Sequence, residues 1–239
     1  MRKHTGERGG GKAVTEKSFE LEGRRVWLRG DVTPRLLFIQ PVDAGEAARI
    51  EREWEAMRDT GCPCALAAFE VKDWNRDLSP WEVPPVFGHV PFGGGAEETL
   101  GFVTECLLPA LCAALPTEET PGLCLGGYSL AGLFALWAAT RTECFSAVAA
   151  ASPSVWFPGW TDYVRAHPIR ADAVYLSLGD REERTKNPVM ATVGENIREL
   201  YALLRPGHAV TLEWNPGGHF QDPALRTAKA FRWIAGREG

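Results

Sequence analysis

Apolar residues along the chain gather in short continuous runs, separated by stretches with helical spacing. Residues 35–42 (RLLFIQPV) and 64–71 (CALAAFEV) are apolar nearly throughout, and runs of that length without alternation predict strands covered on both faces. Residues 17–30 alternate instead, around the turn Glu22-Gly23-Arg24, and predict an N-terminal antiparallel hairpin. Further strands are predicted over 123–128, 145–151, 173–179 and 209–214. Helices are predicted over 44–59, 97–115, 130–140, 188–204 and from 224 onward. This alternation predicts an α/β fold with a mostly parallel central sheet and helices on both faces. In such sheets chemistry collects at the carboxyl ends of the strands.

Two connections depart from the usual short loops. Residues 72–95 carry Trp74, Trp81, several prolines and Gly93-Gly94-Gly95, and a loop of that length at a strand end is expected to be functional. Trp74 and Trp81 are the expected walls of a substrate pocket, because tryptophan combines a large apolar area with one N–H. Residues 151–171 leave only about twenty positions for any cap over the site, so a minimal cap or none is expected.

Composition narrows the class. The chain has 239 residues, 45% hydrophobic and 24% charged, which suits one globular domain over 17–239 behind a basic, Gly-rich tail over 1–16. A net charge of −5 gives no reason to expect nucleic acid or an anionic membrane as partner. No window reaches the length of a membrane span, and the N-terminus lacks the apolar stretch of a secretory signal, so a cytoplasmic location is expected. Six cysteines are scattered, and Cys62-Pro63-Cys64, the one close pair, matches neither a redox nor a zinc spacing. Neither a metal nor an organic cofactor is expected, and oligomeric state is not legible.

The chemistry gathers in three words. Gly126-Gly127-Tyr128-Ser129-Leu130-Ala131-Gly132 lies where an apolar strand gives way to an apolar helix, the setting of a nucleophile elbow, whose tight turn demands small flanking residues. Ser129 would otherwise merely cap that helix. The N–H of Leu130, at the helix start, is the first expected oxyanion donor. The loop after residues 35–42 should offer a second; Pro41 has no N–H, which leaves Val42. A serine needs a base, and of the five histidines His219, in Gly217-Gly218-His219-Phe220 between the last strand and the last helix, stands where that base belongs. Residues 175–183 (YLSLGDREE) end a strand with three carboxylates, Asp180, Glu182 and Glu183; Glu182 is the favoured third member, with Asp180 the alternative. Tyr128 and Trp156 are further candidate substrate contacts.

From about Arg35 to the C-terminus the chain resembles the esterases of the α/β-hydrolase superfamily that include esterase D-like and enterochelin-type siderophore esterases. The resemblance rests on GYSLAGLFALWAA, ASPSVWF, YLSLGDREE and GGHF. It implies a nucleophile at Ser129, a base at His219 and an acid within residues 180–183, cleaving a carboxylic ester or thioester of a small molecule through an acyl-enzyme. Ala131 departs from the commoner glycine of the elbow. A binding protein that retains the fold without turnover is the alternative.

Overall fold

The structure is a computed structural model that describes residues 14–116 and 120–237. The first strand begins at Val14, so residues 14–16, read from sequence as tail, belong to the sheet; the rest of that tail lies outside the described residues. Strands β1 (Val14–Leu21) and β2 (Arg24–Asp31) form the expected hairpin. Its two-residue turn places Glu22 at φ 50° and Gly23 at φ 68°, the left-handed pair that matches strand twist.

Next come β3 (Leu36–Val42), α1 (Ala47–Met57), β4 (Cys64–Glu70) and the long connection. That connection has structure of its own: a short helix α2 (Trp74–Asp77) and a two-stranded ribbon of β5 (Glu82–Val83) and β6 (Phe92–Gly93). The helix predicted over 97–115 is α3 (Ala96–Gly101), a π-helical turn (Phe102–Leu107) and α4 (Leu108–Ala114). Pro109 has no N–H to return to the carbonyl four residues back, and the ladder widens ahead of it. Then follow β7 (Gly122–Tyr128), α5 (Leu130–Arg141), β8 (Ala147–Ala151), α6 (Trp160–Ala166), β9 (Ala173–Gly179), α7 (Val193–Leu204), β10 (Ala209–Asn215) and α8 (Pro223–Ala235).

The main sheet runs β1-β2-β4-β3-β7-β8-β9-β10. Pairing is antiparallel through β1, β2 and β4 and parallel from β4 onward. Alternate residues of one strand feed opposite faces: Leu37 and Ile39 of β3 pack with α5, and Leu36, Phe38 and Val42 pack with α1 and α8. Both faces being covered explains why the sequence of this strand does not alternate. Pro41 is tolerated inside the sheet because the β3–β7 pairing already ends at Ile39 opposite Leu125. The order reverses between β3 and β7, so the ends of those strands form the switch point at which such sheets bind ligands. No helix among the described residues is long and apolar enough to cross a membrane.

Candidate active site

Ser129 stands between β7 and α5 with φ 60° and ψ −121°, a conformation seldom taken by a residue with a side chain. Its backbone is held at both ends: Ser129 N–H donates to Ala151 O at 3.1 Å, and Ser154 N–H donates to Ser129 O at 3.0 Å. The turn is so tight that a Cβ at Gly127 would lie 2.6 Å from the Cβ of Ala131. Gly127 is therefore required, and with glycine there the methyl of Ala131 fits. Every residue of α5 from Leu130 to Thr140 is buried, which fixes the direction of its first turn and of the free N–H groups there.

His219 reaches Ser129 from the loop between β10 and α8, with Nε2 2.9 Å from Ser129 Oγ. Its Nδ1 lies 2.7 Å from Glu182 Oε2. Glu182 begins the short 3-10 turn after β9, and its side chain is 5% exposed. Glu182 Oε1 accepts from Gly179 N–H at 2.7 Å, Ser152 Oγ at 2.8 Å and Arg226 Nη1 at 3.1 Å, so Oε2 is the oxygen turned to the histidine. The other carboxylates of that strand end are engaged elsewhere: Asp180 Oδ1 accepts from Gly217 N–H at 2.8 Å, and Glu183 pairs with Arg198 at 3.0 Å.

Of the remaining histidines, His167 and His208 bond to nearby backbone carbonyls, His89 is exposed, and His4 lies outside the described residues. The chain of contacts Ser129, His219, Glu182 is that of a hydroxyl, a base and an orienting acid. It suits attack on a carbonyl carbon. Around it, Tyr128 is 4% exposed and donates from its hydroxyl to His219 O at 2.6 Å. Burial pushes the Tyr128 phenol above its ordinary value, which keeps it a donor. Tyr128, expected from sequence as a substrate contact, thus braces the histidine loop.

The tryptophans divide. Trp81 donates its indole N–H to Pro158 O at 3.0 Å and packs against Phe157 and Tyr163, so it fastens the long connection to the segment after β8. Trp74 opens α2, half-buried against the core. Trp156 is nearly buried, two residues beyond Ser154, whose Oγ lies 3.3 Å from Ser129 Oγ; its ring meets Phe87 and Phe92 edge-on. Three neighbours escaped the sequence reading: Ser152 on Glu182, Ser154 beside Ser129 and Arg226 behind Glu182. The repeated serine of Ser152-Pro153-Ser154 at a strand end was the available signal. Phe220, 93% exposed and edge-on to the His219 ring, also went unread.

A protein-family model described as "Putative esterase" matches residues 43–205, more than half of the chain. That stretch contains Ser129 and Glu182 and stops short of the histidine loop. A siderophore triacetylfusarinine C esterase of Aspergillus fumigatus is 33% identical over 112 residues, 46% of this chain and 36% of that protein. The match thus spans little over a third of that relative's length. Among solved structures, the siderophore hydrolase EstB from Aspergillus nidulans superposes with a TM-score of 0.68 at 20% identity, covering 97% of each chain. An IroE-like serine hydrolase from Shewanella oneidensis gives 0.72 at 15% identity, over 93% of this chain and 80% of that one.

Proposed function

The chain belongs to this esterase family, carboxylic ester hydrolases with the α/β-hydrolase fold, and on that premise we propose that it cleaves esters through an acyl-enzyme on Ser129. The observation that carries the proposal is the continuous contact from Ser129 Oγ through the His219 ring to Glu182, at 2.9 Å and 2.7 Å. Ser129 Oγ attacks the ester carbonyl as His219 Nε2 takes its proton, and Glu182 stabilises the imidazolium. The tetrahedral intermediate collapses, His219 returns the proton to the departing alcohol, and water releases the acid by the same steps.

The oxyanion falls to two backbone donors. Leu130 N–H, at the start of α5, is one. For the other, the geometry favours Asp43 over Val42. Val42 O accepts from Val71 N–H on the β4 side at 3.0 Å. In a trans amide the C=O and the next N–H point in opposite directions, so Asp43 N–H turns toward β7 and the elbow.

The substrate proposed is a small-molecule carboxylic ester with apolar groups. Phe87, Val90 and Phe220 are exposed on the connection that meets Trp156 and on the histidine loop. The Aspergillus relatives bring siderophore esters in as candidates within that class. A fluorophosphonate probe tests the reading. The wild type should be labelled and Ser129→Ala should not, with ester turnover falling by at least about 10⁴-fold in a variant that still folds. A folded wild type that neither labels nor turns over esters would mean that the fold serves binding alone.

A further inference from the structure

Behind the triad lies a charged group that the acyl-transfer steps do not use. Arg226, in the first turns of α8, is 3% exposed. Its Nη1 donates to Glu182 Oε1 at 3.1 Å and Tyr128 Oη at 3.1 Å, and approaches Ser152 Oγ at 3.4 Å; its Nη2 donates to Pro216 O at 2.8 Å. One guanidinium therefore touches the acid, the residue before the nucleophile, and the loop that carries the base. A buried cation is costly unless paired, and its ionic partner is the carboxylate that faces His219.

We propose that Arg226 is a positioning residue for the triad, resting on the acyl-enzyme reading above. It has two separable effects. The first is geometric. By occupying Oε1 together with Gly179 N–H and Ser152 Oγ, it leaves Oε2 for His219. Through Pro216 O, and through Tyr128 whose hydroxyl holds His219 O, it fixes the loop on which the imidazole sits. The second is electrostatic. Among the described residues, the charged or titratable groups around the pair are Glu182 and Asp180 after β9, Tyr175 within β9, whose hydroxyl donates to Glu213, Tyr128 from the elbow and Arg226 from α8. Asp180 is spent on Gly217 N–H, and its side chain is 56% exposed. Among the described residues Arg226 is thus the enclosed cation that offsets Glu182, the carboxylate that faces His219.

A wholly structural arginine would affect stability and rate without moving the pH at which the base is lost. The test compares wild type, Arg226→Met and Arg226→Lys, with kcat/KM for an activated aryl ester measured against pH and normalised to sites titrated by fluorophosphonate. Arg226→Met should lower kcat by about 100-fold and move the acidic limb of the profile up by about one pH unit, because a cation beside the pair has gone. Arg226→Lys restores the charge without the fork, so the limb should return to within a few tenths of a unit of wild type while the rate recovers only in part.

Tyr128→Phe removes one arm with little change of volume. It should lower kcat by about 10-fold, with KM and the limb unmoved. It also gives a reading if Arg226→Met does not fold. An unmoved limb in a folded Arg226→Met, a limb still displaced in Arg226→Lys, or a wild-type kcat in Tyr128→Phe would overturn the proposal. Each of these outcomes leaves the acyl-enzyme reading standing so long as the wild type is labelled at Ser129; absence of that labelling fails the earlier reading instead.

Discussion

On the proposed mechanism, the amide joining Val42 to Asp43 should affect the rate in a way that neither side chain does. The Val42 carbonyl is spent on Val71, and planarity then aims the Asp43 N–H at the elbow. Asp43→Ala keeps that N–H and should retain wild-type kcat. Asp43→Pro deletes it and should lower kcat by about 10²–10³-fold, the usual loss for one oxyanion donor. Proline at this position follows an extended residue, as it prefers, so a normal melting temperature alongside the loss would identify the donor; equal rates for the two variants would remove Asp43 from the site. Sequence could not select this atom, since backbone direction is set by pairing register. It does offer Ser129 and His219 as candidates, which the structure brings to 2.9 Å of each other, because a tight turn and a glycine-flanked histidine have local signatures. It favours Glu182 over Asp180 without deciding between them, because the choice depends on the turn that brings Gly179 N–H onto Glu182.

At the level of elements, the connection between β4 and α3 behaves differently from a free loop. Its ribbon is fastened by Trp81, whose indole bonds Pro158 and whose ring lies between Phe157 and Tyr163. Trp81→Ala should therefore cost about 3 kcal/mol of stability, the low end for a tryptophan truncation because the ring is half-buried. It should slow short and bulky esters by a similar factor. A change in the ratio of their kcat/KM values with unchanged melting temperature would return Trp81 to the pocket wall that its place in a long, proline-rich connection suggested. Composition marks such a connection as special without saying which side of a tryptophan is covered. The same limit hid Arg226: on an amphipathic terminal helix an arginine reads as surface, and only the approach of the Glu182 turn to the first turns of α8 makes it interior.

At the scale of the whole molecule, alternating runs of strand and helix were enough to predict a mostly parallel sheet, whereas the order β4-β3-β7, with its reversal, arises from crossovers that no local pattern records. That reversal sets the end of β3 beside the elbow, and what covers the site is then decided by the segment between β8 and β9. The segment holds one seven-residue helix, α6. It is not free to act as a lid. Trp160 is 1% exposed and Val164 3%, and α6 packs against α7. Lifting it would return the tryptophan to water at a cost of about 5 kcal/mol, from roughly 200 Å² of apolar area. An opening that costly would be populated in fewer than about one molecule in a thousand. Nor is opening needed, since the His219 side chain is already 25% exposed. Hydrolysis of a sparingly soluble ester should accordingly follow the monomer concentration and level off at the solubility limit. A rise of tenfold or more on passing that limit, the signature of a lid displaced at an interface, would show that α6 moves despite its buried tryptophan.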